Sequence, residues 1–564
     1  MEPHEQLERL HAAYIVQNSH RRSDYFGLIR ELLRIRESDP SVQSSIDQVY
    51  CLVEDEIITN QGVPTNEINF GTSGWRGILG KDVFLKSVRC VTEAIVDLYR
   101  MADSEPRLHQ FLGVSSLQEA RERGCLVGWD NRFGGDVLGR CVTDTLREQG
   151  FKVYFCQETT TGVLSAALLE LQAAFSVNLT PSHNPLDYGG YKFNAADGGP
   201  AASELTTIIT QKSRERVDGL SEEGHKQPPG TLVETDSFAL WQRLVDHNRD
   251  RHRLDYRMLL DQVAAHRDMD IVIDSVHGAS RLHIERLLGP AAVNLVHLRG
   301  DSDVTFGGIA PEPSSENMSR VTQRLKDSSK KLKIGAIIDP DADRIRFTDG
   351  DTEISMNQFG AMAYHFLHEY KNLTGMVAKT VATSNLANSV AATLGEELFE
   401  TKVGFKEFKP VIGKALVYFE ESDGISVIGH TPEKDAYIGL LLALDMVVST
   451  SKNLGEIKLE MDEIYGAFYP DRDGVAVSLK GDPLLTALAR LEKYDVGTSV
   501  AIGGNEKTIK EIISKDGRKM IFEDDSWLMI RPSGTEPKVR FYVESRDPEG
   551  TADLVEAARI MLAE

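Results

Sequence analysis

The sequence predicts an α/β protein of several domains with mixed or parallel sheets, closed by a smaller α+β domain. Three observations carry this reading. Apolar runs that end in glycine or polar residues recur at 125–130, 270–274, 334–339 and 376–380, and each reads as a buried strand feeding a loop. Amphipathic stretches lie between them at 136–149, 162–173, 357–370 and 384–393, so strand and helix alternate. The length, 564 residues, exceeds a single core and fits three or four domains. Alternation of this kind suggests a repeated unit, although the units share too little sequence for the repeat to be read directly.

Taken in order, residues 1–60 read as a helical extension, because apolar residues recur at helical spacing through LERLHAAYIV and YFGLIRELLRI. A glycine-rich loop follows, Phe70-Gly71-Thr72-Ser73-Gly74-Trp75-Arg76-Gly77, whose open backbone N–H groups and one arginine suit an anion as well as a plain turn. A helix near 83–100 and a polar insertion lead to the strand and site-facing loop Cys125–Arg132. Towards the C-terminus, 526–530 and 538–544 alternate like two strands about a turn, and 551–563 reads as a closing helix. The expected units are 61–232, 233–352, 353–455 and 456–564.

Composition bounds the function. The chain is 41% hydrophobic and 26% charged, with no apolar run near the length of a membrane span and no leader-like N-terminus. Its five cysteines are an odd number without a C-x-x-C pair, which points to reduced thiols in a cytoplasmic protein rather than to zinc. A net charge of −23 argues against nucleic acid and anionic membrane as partners. An anionic substrate would therefore need cations concentrated locally.

Four motifs carry chemistry. In Thr180-Pro181-Ser182-His183-Asn184-Pro185, two prolines restrict the backbone around a serine, and Lys192 follows in Gly189-Gly190-Tyr191-Lys192. A surface turn has the same composition; as a nucleophile the serine needs a metal, a base or fixed positive charge. Asp339, Asp341 and Asp343, just after a strand, point the same way if the backbone stays extended, and such carboxylates repel unless a cation lies between them. Hard oxygen ligands suit Mg²⁺ or Ca²⁺, but an EF-hand is excluded, since Arg344 and Gly350 stand where it requires Gly and Glu. Glu420 and Ser422, two apart, are able to share sugar hydroxyls. Arg531, Ser533, Gly534, Thr535 and Arg540 between two strands form a phosphate cradle that is no Walker loop.

These loops, in this order, resemble the four site loops of the α-D-phosphohexomutases over roughly residues 65–560. The resemblance implies three similar α/β domains with mixed sheets and a smaller C-terminal α+β domain around a central cleft. It also implies a phosphorylated Ser182 and a metal, Mg²⁺, held by Asp339, Asp341, Asp343 and an oxygen of Ser182 or its phosphate. Glu420 and Ser422 would read the sugar hydroxyls, flanked by Gly404 and Lys406 in Val403-Gly404-Phe405-Lys406. Arg531, Ser533, Gly534, Thr535 and Arg540 would hold the second phosphate. His430 followed by Glu433-Lys434-Asp435 is closer to the phosphoglucomutase branch, although Asp423-Gly424 stands where some members have Gly-His.

The implied reaction interconverts a hexose 1-phosphate and a hexose 6-phosphate through a hexose 1,6-bisphosphate that also serves as activator. Arg76, Lys192 and Arg344 would stabilise the transferring phosphoryl group. Lys192 is the favoured general base, with Lys434 or His430 as alternatives. His183 is a site residue by adjacency, but neighbouring side chains in an extended loop diverge, so no Ser–His dyad is expected. Glucose phosphate is the expected substrate, with mannose and glucosamine phosphates as the alternatives, and monomer and homodimer both remain open. A metal-dependent sugar phosphatase would release phosphate, and a silent phosphosugar-binding protein would do neither.

Overall fold

Four β-sheets organise the chain, and three of them repeat one topology. The computed structural model describes residues 3–71, 73–219, 228–479, 481–533 and 538–563. The first sheet comprises β1 (Trp75–Ile78), β2 (Cys125–Trp129), β3 (Val153–Glu158), β4 (Phe175–Leu179), β5 (Tyr188–Ala195) and β6 (Leu232–Glu234). Its order is β1-β5-β4-β2-β3-β6. The second comprises β7 (Met269–Asp274), β8 (Leu295–Leu298), β9 (Leu332–Ile338), β10 (Ile345–Thr348) and β11 (Glu353–Ile354), ordered β11-β10-β9-β7-β8. The third comprises β12 (Val377–Thr380), β13 (Leu398–Thr401), β14 (Val417–Glu420) and β15 (Gly424–Val427), ordered β13-β12-β14-β15.

The repeat that sequence identity hides is plain in the pairing. In each sheet one strand (β2, β7, β12) runs parallel to a neighbour on either side. The later of those neighbours (β4, β9, β14) then turns back into an antiparallel partner (β5, β10, β15). The turn between them lies at the carboxyl end of the parallel strands, where open α/β sheets bind ligands. All three hairpins thus open on the same kind of edge, and they carry Ser182, the three aspartates and the Glu420–Ser422 pair. Each turn has a non-glycine residue in the left-handed region, Ser182 (φ 58°), Ala342 (φ 50°) and Asp423 (φ 71°).

The fourth sheet is antiparallel: β16 (Tyr469–Ala476), β17 (Ser499–Ile502), β18 (Asn505–Ile513), β19 (Arg518–Phe522), β20 (Trp527–Pro532) and β21 (Lys538–Ser545), ordered β16-β21-β20-β19-β18-β17. The closing helix Pro548–Ala563 covers it and completes a core of its own around Met520, Phe541 and Leu554. By contrast, one continuous core runs through the second and third units, threaded by the helix Ala436–Thr450. That helix is apolar all round and buried over nearly its whole length, as a helix surrounded by sheet and helices must be. β6 joins the first sheet just past the limit expected at 232. The helix Leu454–Tyr465 packs into the core of the second and third units, across the limit expected at 455.

The described part of residues 1–60 holds three α-helices, Pro3–Tyr14, Tyr25–Arg36 and Gln43–Thr59. Asp24 caps the second by accepting from Gly27 N. Leu28, Ile29 and Leu32 on it, and Ile46, Val49 and Val53 on the third, are buried in the core of the first unit. Among the described residues no single helix is long and apolar enough to cross a membrane.

Candidate active site

The serine hairpin is fixed from behind. Ser182 N donates to Thr180 Oγ1 (2.9 Å), and Thr180 Oγ1 donates to Asp130 Oδ2 (2.6 Å). The buried Arg132 guanidinium donates to the carbonyls of Ser182 (2.7 Å), Pro185 (2.7 Å) and Asn184. One planar fork thereby satisfies carbonyls that a sharp turn would otherwise leave orphaned in the interior. Gly190 makes room for the turn, since a Cβ there would lie 2.3 Å from Thr180 O. The kink corrects one expectation. With Ser182 in the left-handed region the loop is not extended, and Ser182 Oγ lies 3.4 Å from His183 Nδ1. Burial, with Arg344 and Arg76 close by, pushes the His183 imidazolium well below its ordinary range, so the ring is neutral.

The serine meets the acidic hairpin directly. Ser182 Oγ donates to Asp339 Oδ2 at 2.9 Å, although 157 residues separate them. One carboxylate oxygen from each of Asp339, Asp341 and Asp343 falls within 4.8 Å of the others, and all three residues are buried. Their charge is only partly balanced. Burial, then Asp343 and Asp341, raises the Asp339 carboxyl well above the usual range. Burial works in the same direction at Asp343, but Lys192, Lys434 and Arg344 hold that carboxyl well below it. Among the described residues Asp341 Oδ1 and Asp343 Oδ1 are buried without a hydrogen-bond partner, Arg344 Nε lying 3.6 Å from the latter. Orphaned, converging hard oxygens beside a hydroxyl are the donor set that a small divalent cation takes, so the residues fit a metal.

Lys192, on β5, donates to Asp341 Oδ2 (2.6 Å) and Asp343 Oδ2 (2.9 Å). Burial alone would lower its ammonium, but the two aspartates raise it, so Lys192 is held protonated. A lysine pinned this way is a counter-charge to the two carboxylates. Lys434 is likewise raised by Asp343 and Glu420 against burial. Its Nζ lies 3.4 Å from Asp343 Oδ2 and 3.3 Å from Glu420 Oε1, tying the acidic hairpin to the sugar hairpin. Ser422 Oγ donates to Glu420 Oε1 (2.6 Å), so the pair is pre-aligned.

A cleft of about 1080 Å³ runs between the hairpins, near the upper end of the ~300–1,000 Å³ usual for ligand sites. Arg76, His183, Arg344, Gly404, Glu420, Ser422 and Lys434 line it, and so do Arg531, Ser533 and Arg540 from the fourth unit. Arg76 donates to Asn184 Oδ1 (2.7 Å), and burial together with Arg344 lowers its guanidinium to about 10. Arg531 and Arg540 stand directly opposite each other across β20 and β21. Gly534 and Thr535 lie outside the described residues.

Two expected residues are elsewhere. His430 is fully buried, its Nε2 2.6 Å from Asp435 Oδ2, which also accepts from Trp241 Nε1 (2.5 Å); it supports the start of the central helix and does not line the cleft. Lys406 reaches Ser203 Oγ (2.8 Å) across to the first unit instead of the cleft. Conversely, residues not expected contribute. Thr161, at the N-terminus of the helix Thr161–Leu171, donates its N (2.8 Å) to Asp341 O and its Oγ1 (2.5 Å) to Asp341 Oδ2. Asp130 and Arg132 belong to a loop legible as site-facing, but their partners lie about fifty positions on, and nothing local announces them. Arg472 on β16 lines the cleft with the fourth-unit arginines.

Comparison with known proteins follows the same four-part division. Models of the phosphoglucomutase/phosphomannomutase family match as alpha/beta/alpha domain I over residues 67–218, domain II over 254–352, domain III over 355–464 and the C-terminal domain over 480–560. A phosphoglucomutase from Komagataeibacter xylinus is 27% identical over 86% of this chain and 88% of its own length. A phosphoglucosamine/phosphogalactosamine mutase from Sulfurisphaera tokodaii is 24% identical over 86% of this chain and 97% of its own. The crystal structure of a phosphoglucomutase/phosphomannomutase family protein from Burkholderia thailandensis superimposes with a TM-score of 0.66 at 20% identity, covering 87% of this chain and 96% of that one.

Proposed function

Because the chain belongs to the phosphoglucomutase/phosphomannomutase family, matched in all four of its domains, we propose that it is a phosphohexomutase working through a phosphoserine at Ser182. The observation that carries the reading is the hydrogen bond from Ser182 Oγ to Asp339, inside three converging carboxylates at a cleft that arginines line from the fourth unit. Asp339, Asp341 and Asp343, with an oxygen of Ser182, would hold Mg²⁺, which when bound polarises and neutralises a transferring phosphoryl group.

The chain's own residues then divide the work. A hexose hydroxyl attacks the phosphorus carried on Ser182, the bond to Ser182 Oγ breaks, and the hexose leaves this step as a 1,6-bisphosphate. The intermediate turns over and returns its other phosphate to Ser182, so that the 1- and 6-phosphates interconvert. Arg76 and Arg344 face the transferring group, and Lys192 neutralises the carboxylates behind it. His183, 3.4 Å from Ser182 Oγ, is proposed as an acceptor for the proton of the attacking hydroxyl, with Lys434 as the alternative. Glu420, Ser422 and Lys434 bind the sugar, and Arg531 and Arg540, with the 533–535 turn, hold the phosphate that is not reacting.

Glucose phosphate is the proposed substrate, on the resemblance of Glu433-Lys434-Asp435 to the phosphoglucomutase branch; mannose and glucosamine phosphates are the alternatives. Five unpaired thiols support a reducing compartment, the cytoplasm. The test is incubation with glucose 1-phosphate, Mg²⁺ and a trace of glucose 1,6-bisphosphate. A mutase yields glucose 6-phosphate, a phosphatase yields inorganic phosphate, and a binding protein yields neither. A higher kcat/KM for mannose 1-phosphate would replace the substrate and leave the reaction class standing.

A further inference from the structure

The helix Tyr25–Arg36 lies outside the four family-matched segments, which begin at residue 67, yet it touches both the serine hairpin and the second unit. Arg30 Nη2 lies 2.7 Å from Oδ1 of Asp187, in the serine hairpin. Six residues further along the helix, Arg36 Nη2 lies 3.5 Å from Oδ2 of Asp303, which belongs to the second unit, the one that carries the three aspartates. Between them Leu33 packs within 3.6 Å of the position a Cβ on Gly308 would take. The same second-unit turn supplies Phe306, whose ring lies 4.8 Å from the Arg132 guanidinium that gathers the serine-hairpin carbonyls.

We infer that this helix is a brace that sets the spacing between the serine hairpin and the unit bearing the carboxylates, with Arg30 and Arg36 as its positioning residues. Arg132, Asp130 and Arg76 hold the serine hairpin within the first unit, while Thr161, Lys192 and the Arg132–Phe306 stack tie that unit to the second close to the reacting groups. The helix adds a tie remote from the reacting groups by pairing one cation with each side, on a rod whose rise is about 1.5 Å per residue. Phosphoryl transfer depends on that spacing, since a misplacement of about 1 Å costs on the order of a hundredfold in rate. The brace touches no substrate, so its loss should reach turnover and leave binding alone. The inference rests on the mutase reading of Ser182.

The test compares the full-length Arg30→Ala/Arg36→Ala variant, Arg30→Lys and the control Arg34→Ala. Arg34 shares the helix but is largely exposed and pairs with Glu31 on the same helix. kcat, KM and the phosphate on Ser182 are measured for each. The double variant should lose about tenfold in kcat with KM within about twofold. Arg30→Lys should retain most of the rate, Arg34→Ala all of it, and Ser182 should stay phosphorylated throughout. Unchanged kcat in the double variant, a change confined to KM, or an equal loss in Arg34→Ala would overturn the brace. If the double variant does not fold, Arg30→Glu against Arg30→Lys reads the same contrast, and equal rates in these two overturn it. Wild-type protein without phosphate on Ser182 would remove the mutase reading itself, and the brace with it.

Discussion

The first three units and the fourth hold their hairpins in opposite ways. The serine, acidic and sugar hairpins are stitched together by backbone hydrogen bonds that cross between units. Thr161 N donates to Asp341 O (2.8 Å), Ile345 N to Asp423 O (2.9 Å) and Ala436 N to Ala342 O (3.0 Å). The second and third units even share one core. The fourth hairpin stands on a separate core and meets the third unit through a small apolar cluster around Val381, Trp527 and Tyr542. The difference separates two tasks. Groups that make and break bonds need spacing fixed to a fraction of an ångström, whereas a cradle that receives a phosphate in two orientations is better carried on a unit able to close and reopen.

That contrast orders the expected effects. Ser182→Ala should lose on the order of a thousandfold or more in turnover, because among the described residues no other hydroxyl bonds Asp339. Activity near wild type in that variant would remove the serine hairpin from the chemistry. Asp341→Asn should cost on the order of a hundredfold and weaken Mg²⁺ activation together with rate; a chelated wild type that keeps its rate would make the three carboxylates a structural cluster only. Arg531→Ala should cost about tenfold to a hundredfold in kcat/KM, equally in both directions of the reaction, while Ser182 still takes up phosphate from excess bisphosphate. A loss in one direction alone would mean that the fourth unit grips one orientation and that the division of labour is wrong.

The smallest effect concerns the joint between the third and fourth units. Lys519 Nζ donates to Val381 O (2.9 Å) over the Trp527 ring, and burial together with Lys379 lowers its ammonium to about 7 from an ordinary 10.5. A base depressed in the docked state opposes docking once the undocked side chain is protonated. The penalty therefore grows as pH falls from about 10.5 to about 7 and is complete below that. Resistance of the fourth unit to proteolysis should rise between about pH 7 and pH 9, and Lys519→Met should flatten the rise. An unchanged slope in that variant would assign the pH dependence to another group.

Much of this was legible in the sequence where chemistry is local. Asp339, Asp341 and Asp343 announce themselves by spacing, and the arginines of 531–540 by their place between two alternating strands. Strand and helix positions followed from periodicity to within a few residues. What spacing does not reveal is direction. His430 stands among cleft residues in sequence, but its ring turns inward to Asp435. Lys192 alternates correctly on its strand, yet only the fold shows that two buried aspartates hold its proton. His183 was discounted on the assumption of an extended loop, and the left-handed Ser182 removes that assumption. Arg132 and Thr161 act on residues about 50 and 180 positions away, contacts that no local pattern encodes.

The central claim is that Ser182 carries the phosphoryl group between two ends of one hexose. It is tested most directly by loading the protein with glucose 1,6-bisphosphate labelled in its phosphates, mapping the label by peptide mass, and adding unlabelled glucose 1-phosphate. One labelled phosphate is expected on the peptide containing Ser182, followed by its transfer to the added sugar as labelled glucose 1,6-bisphosphate. Label on another residue, or its release as inorganic phosphate instead of transfer to the sugar, would contradict it.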